Sequence, residues 1–179
     1  MRGPDGEDAD VARAPESLAS DVLVRRVVAE LHGRRVACAE SCTGGMLSQR
    51  FARADGSAEW FPGGVVTYRS DAKRAVLGVA PGPVVNHATA RRMAEGVAAL
   101  FDCALAVSIT GAAGPDPLDG MPPGTIFVGV FVDGVVESAR HHLSGSPVEV
   151  CTTACEVALR DLRRALVGAT EPAVTPRTR

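Results

Sequence analysis

The sequence predicts an α/β fold: a three-layer α/β/α sandwich with a mixed, mostly parallel sheet and one C-terminal hairpin. Three observations predict it. Amphipathic helical stretches alternate with short apolar runs along most of the chain, the pattern of helices covering both faces of a sheet. Residues 104–109 are apolar apart from one serine, as expected of a strand buried on both faces. Residues 126–132 and 135–142 flank Asp133-Gly134, a favoured two-residue hairpin turn.

The elements follow in order. Residues 1–15 mix charge, Gly and Pro with almost no large apolar side chain and read as a disordered tail. Residues 169–179 read the same way, leaving 16–168 as one domain. Leu23, Val24, Val27, Val28 and Leu31 mark an amphipathic helix stopped by Gly33. Residues 36–39 form a short apolar strand, and Gly44-Gly45 precede a helix carrying Met46, Leu47 and Phe51. After Pro62-Gly63-Gly64, residues 65–68 form a β-branched strand. Ser70 is the expected N-cap of a short helix ended by Gly78 and Pro81. Asn86 is the expected cap of the next, which should bury Met93, Val97, Leu100 and Phe101. A Gly- and Pro-rich loop is expected over 110–124. The last helix carries Ala154, Val157, Ala158, Leu162, Ala165 and Leu166 on one side.

Composition narrows the function classes. The 179 residues are 46% hydrophobic, which excludes a disordered chain. A chain of this length buries roughly 70% of its unfolded surface, so its core needs no disulfide or metal staple. Lys and Arg total 19 against 21 Asp and Glu, without the positive footprint of a nucleic-acid-binding protein. Five Phe, one Tyr and one Trp are too few to stack on a run of bases. No apolar run approaches the length of a membrane span, and the first residues lack the apolar centre of a signal peptide. Five cysteines, odd in number and scattered, point to free thiols in a reducing cytoplasm. Their spacing fits no zinc knuckle, so small buried residues are expected rather than a metal site.

Three segments place small, polar and Gly residues at the ends of apolar strands, where open α/β sheets carry their sites. The first is Ala39-Glu40-Ser41-Cys42-Thr43-Gly44-Gly45. Its strand runs into a Gly pair that opens a helix, so the amides of residues 43–46 should face outward and attract an anion or a developing oxyanion. The alternative is a tight turn that needs Gly for geometry alone. The second is Thr67-Tyr68-Arg69-Ser70-Asp71-Ala72-Lys73. A lysine in a helix's first turn is opposed by the helix dipole. With partial burial, that gives a lowered pKa and an amine able to deprotonate a hydroxyl, directly or through Tyr68. A solvated lysine and a packed tyrosine are the plainer account. In the third, residues 108–115, Thr110 could hydrogen-bond a ligand and Gly111 lets backbone approach it; a flexible connection is the alternative.

These segments resemble the CinA C-terminal domain family, whose best-known activity is nicotinamide-nucleotide amidohydrolase. The resemblance rests on A-E-S-C-T-G-G at 39–45 and on G-S-A-E-W-F-P-G-G-V-V-T-Y-R-S-D-A-K at 56–73 with L-G-V at 77–79. S-I-T-G-A-A-G-P at 108–115 and P-P-G-T-I-F-V-G-V at 122–130 complete it. It implies a cytoplasmic homodimer without metal or cofactor that hydrolyses the carboxamide of nicotinamide mononucleotide, giving nicotinic acid mononucleotide and ammonia. No nucleic acid and no membrane enter. In many bacteria the domain follows a molybdopterin-binding-like domain, for which this chain is too short. Carried onto this sequence, the catalytic candidates are Ser41, Ser57, Tyr68 and Lys73. The substrate-binding candidates are Thr43, Gly44, Gly45, Thr110 and Gly111.

The chain departs from the family pattern twice. Ala58 stands where the resemblance implies a nucleophilic serine, and Ser57 lies one residue early, which redirects a side chain. Pro147 and Cys151 replace two arginines expected to hold the nucleotide. Each lost charge-assisted hydrogen bond is worth roughly 1.5–3 kcal/mol, so Arg69, Arg74 or His141 would have to take their place. Three outcomes are therefore open: a working mononucleotide amidohydrolase, a hydrolase of a different small amide, or a binding or dimeric scaffold that has lost the activity.

Overall fold

The computed structural model describes residues 15–170, with side chains from 20 to 169. The tails expected at 1–15 and 169–179 lie outside these residues, except that Pro15 opens the first helix and residues 169–170 close the last. The element order is α1 (Pro15–Ala29), β1 (Val36–Glu40), α2 (Met46–Ala52), α3 (Ser57–Trp60), β2 (Gly64–Val66) and α4 (Ser70–Leu77). There follow α5 (His87–Phe101), β3 (Leu105–Ala112), β4 (Thr125–Val132), β5 (Val135–His142) and α6 (Pro147–Thr170).

The five strands form one mixed sheet in the order β2-β1-β3-β4-β5. β1 pairs in parallel with β2 and β3, whereas β4 is antiparallel to both β3 and β5. Only β4 therefore runs against the other four, and β4–β5 is the expected hairpin. Its turn places Asp133 and Gly134 at φ 48° and 92°, the left-handed backbone that a two-residue turn requires.

Alternation along the strands separates two apolar layers. Val36 and Cys38 of β1, with Val107 and Ile109 of β3, meet α1, α2 and α6 on one face. Ala37, Ala39 and Ala106 point the other way, into Leu77 of α4 and Met93 and Val97 of α5. β3 is buried along its whole length, as its sequence requires.

Four local expectations need correction. β3 continues through Thr110, Gly111 and Ala112, placed by sequence in a loop, because these residues pair with Phe127, Ile126 and Thr125 of β4. A Cβ on Gly111 would lie 2.5 Å from the Thr125 carbonyl oxygen, so the glycine serves this close pairing. The N-cap of α4 is Arg69, not Ser70. Leu100 is exposed; α5 instead turns Ala90, Ala94 and Gly96 inward with Met93 and Val97. The short helix α3 carries no periodicity of its own and was not expected; it seats Trp60 edge-on against Phe51 at 5.5 Å. Asn86 does cap α5, its side chain accepting from the Thr89 amide at 2.8 Å.

Candidate active site

From β1 the chain crosses to β2 on one side and then to β3 on the other. The carboxyl ends of β1 and β3 thus flank the kind of crevice in which open α/β sheets bind ligands. An open cavity of about 340 Å³ lies there. Ser41 and Cys42 follow β1, Tyr68 follows β2, and the segment from Gly111 to Gly114 ends β3; Pro147, Val148 and Cys151 close the cavity from α6.

The turn after β1 is organised by Glu40. Its fully buried carboxylate accepts from the Gly45, Leu47 and Ser48 amides at 3.1, 3.0 and 2.8 Å. The Thr43 and Ser48 hydroxyls add bonds at 2.7 and 2.6 Å. Gly45, at φ 105°, lets the chain swing into α2 around this anion. The Gly44 and Met46 amides bond to the Ser41 and Thr43 carbonyls. The outward amides expected over residues 43–46 are thus largely spent: the helix end that was to hold an external anion holds the chain's own. Sequence reasoning passed over Glu40. The signal was present, as a carboxylate closing an apolar strand immediately before a helix start.

Ser41 is nearly buried, lines the cavity, and its hydroxyl makes no hydrogen bond among the described residues. Its amide extends the β1–β3 ladder by bonding the Ile109 carbonyl at 3.1 Å. Tyr68 stands at the cavity rim, 70% exposed. Lys73 is 1% exposed and lies one layer behind, donating to the carbonyls of Thr67 at 2.7 Å and of Tyr68 at 3.0 Å. Burial lowers its pKa, with Cys42 and Asp119 acting weakly in the opposite direction.

The other candidates, Gly111 excepted, are not brought to the cavity wall. Ser57 sits beyond the far end of α2, its hydroxyl donating to the Ala52 carbonyl at 3.1 Å, and Ala58 is exposed beside it. Thr43 and Gly45 serve Glu40. Thr110 is buried and donates to the Val84 carbonyl at 2.9 Å, so its hydroxyl braces the loop before α5 rather than facing a ligand. Of the five substrate-binding candidates, Gly111 alone lines the cavity. Met46, Asp116, Leu118 and Val148, which no motif singled out, line it as well.

The thiols are held protonated. Burial pushes Cys42 up to about 12, helped by neighbouring Cys151, whose own thiol is also raised by burial and donates to the Cys42 carbonyl at 3.2 Å. All five cysteines are free, and among the described residues no group of three His, Cys, Asp or Glu is placed to hold a metal ion. No helix among them is long and apolar enough to cross a membrane.

Comparison with known proteins agrees with this geometry. A profile of the CinA C-terminal domain matches residues 20–166. A CinA-like protein of Gemmatimonas aurantiaca is 41% identical over 136 residues, covering 73% of this chain and 32% of that protein. One of Mycobacterium avium is 38% identical over 160 residues, covering 83% and 36%. The chain spans about a third of the length of these curated relatives. The crystal structure of competence damage-inducible protein A from Klebsiella pneumoniae superposes with a TM-score of 0.80 at 32% identity, over 83% of this chain and 97% of that one. A CinA superfamily protein from Enterobacter cloacae gives 0.79 at 27% identity, over 93% and 99%. With the profile spanning nearly every described residue, the chain belongs to the CinA C-terminal domain family.

Proposed function

We propose that the cavity hydrolyses a small carboxamide, in the manner of a nicotinamide-nucleotide amidohydrolase. One observation carries this reading: the Ser41 hydroxyl, unengaged within the described residues, lies in the cavity wall at the switch point of the sheet. In the proposed reaction Ser41 Oγ attacks the carboxamide carbon, and its proton passes toward the Lys73 amine, whose lowered pKa favours the neutral base. The Cys42 amide, which makes no backbone–backbone hydrogen bond among the described residues and belongs to a residue lining the cavity, is the donor for the developing oxyanion. The carbon–nitrogen bond then breaks, ammonia leaves with the returned proton, and water hydrolyses the Ser41 ester. The homodimer and the cytoplasmic setting belong to the same proposal.

The test is ammonia release from millimolar nicotinamide mononucleotide and from its dephosphorylated nucleoside. Ser41→Ala should cost at least a hundredfold and Lys73→Ala a comparable amount, whereas Ser57→Ala should leave the rate unchanged. Equal loss in both serine variants, or no release from either compound, would overturn the reading. A second reading, a binding protein without turnover, draws on Lys73, whose ammonium is held by two backbone carbonyls. It predicts saturable binding with no ammonia.

A further inference from the structure

We infer that the cavity selects a carboxamide that is uncharged or cationic and carries no phosphate; this names the substrate class for the amidohydrolase reading and rests on it. Protein phosphate sites are built from cationic side chains or from free helix N-termini. The cavity offers neither. Among the described residues no Lys, Arg or His lines it, and the one charged lining residue is Asp116, an exposed carboxylate.

Two helices have their first residue in the cavity wall, Met46 of α2 and Pro147 of α6, and both starts are already occupied. Glu40 fills the first turn of α2, as described. At α6, Ser146 and Glu149 cap each other: the Glu149 carboxylate accepts from the Ser146 amide and hydroxyl, each at 2.7 Å, and the Ser146 hydroxyl accepts from the Glu149 amide at 3.4 Å. Pro147, at the start of α6, has no N–H to offer. Each positive helix end is therefore met by the chain's own anion.

None of the basic residues that sequence suggested as replacements lines the cavity. Arg69 pairs with Asp71 at 3.1 Å, and His141 with Asp161 at 2.7 Å. Arg74 is exposed on α4 and does not line the cavity. A phosphate brought into the cavity would lose its hydration, meet the Asp116 carboxylate and gain no cation. A positively charged ring loses nothing comparable and gains Asp116, while Met46, Leu118 and Val148 supply apolar contact.

The experiment compares nicotinamide mononucleotide with its dephosphorylated nucleoside, which keeps the cationic ring. Binding is measured calorimetrically on the full chain carrying Ser41→Ala, and ammonia release on the unmodified protein. The nucleoside should bind at least tenfold more tightly, with the advantage shrinking as salt is added. Asp116→Asn should cut that advantage severalfold, and Pro147→Arg should raise mononucleotide affinity at least tenfold. Equal or tighter binding of the mononucleotide overturns the inference, as does failure of both compounds to bind. Ammonia release with the mononucleotide preferred would overturn the substrate class and leave the amidohydrolase standing. Nucleoside preference without ammonia would do the reverse.

Discussion

Replacing Glu40 by Gln tests how the β1–α2 turn is built. The carboxylate takes five donors: Oε1 serves the Ser48 amide and hydroxyl, and Oε2 serves Thr43, Gly45 and Leu47. Glutamine keeps one acceptor oxygen. In its less damaging orientation that oxygen retains the three Oε2 partners and the new NH2 faces Ser48. The Ser48 hydroxyl can turn to accept from it; the Ser48 amide cannot, and is left opposed to another donor in a buried site. One orphaned buried donor costs about 1–3 kcal/mol, and the three surviving bonds weaken once their acceptor is neutral, so the loss is roughly 2–4 kcal/mol. With a urea m-value of about 2 kcal/mol/M, the unfolding midpoint falls by roughly 1–2 M at unchanged m. The single tryptophan reports this directly, because Trp60 is buried against Phe51 next to α2. A Glu40→Gln stability within about 0.5 kcal/mol of the unmodified protein, inside the range of ordinary surface changes, would refute the account.

Two further outcomes follow from ionisation. Burial holds the Lys73 pKa below its ordinary value of 10.5, so the unfolded chain binds that proton more tightly than the folded one. The Lys73 contribution to stability should therefore rise with pH between the lowered native value and 10.5, with the full penalty present below that window. The thiols raised by burial, which ionise first in the unfolded chain, act in the opposite direction. Subtracting the urea midpoints of Lys73→Met from those of the unmodified protein at each pH from 7 to 10 cancels the thiols and should leave a difference that rises with pH; a flat difference would refute the lowered lysine. The hydrolysis rate should climb with pH over the same range. Among the thiols, burial pushes Cys155 up to about 12 and raises Cys38 further, and both pack in the core. At pH 8 a disulfide reagent should label the half-exposed Cys42 and Cys151 slowly, and Cys38 and Cys155 only on unfolding. Rapid labelling of all the thiols in the native protein would show the core to be looser than described.

The sequence by itself determined the layers of this protein and the order of its elements. Helical and alternating periodicities are local, so the inward stripe of α1, the double burial of β3 and the Asp133-Gly134 turn could be read without a fold. The site was only half legible. Ser41, Tyr68 and Gly111 reach one cavity because they end strands that become neighbours, and strand ends are visible in sequence. Tertiary structure decided the rest, since it depended on partners distant along the chain. β4 drew residues 110–112 into the sheet and left Thr110 bracing Val84. The turn after β1 folded around Glu40 and consumed amides that a free helix end would have offered. Ser57 is held beyond α2, away from the crevice its motif suggested. Whether a hydroxyl or amide is free for a ligand is a question of what else has bonded it, and only the assembled molecule answers that.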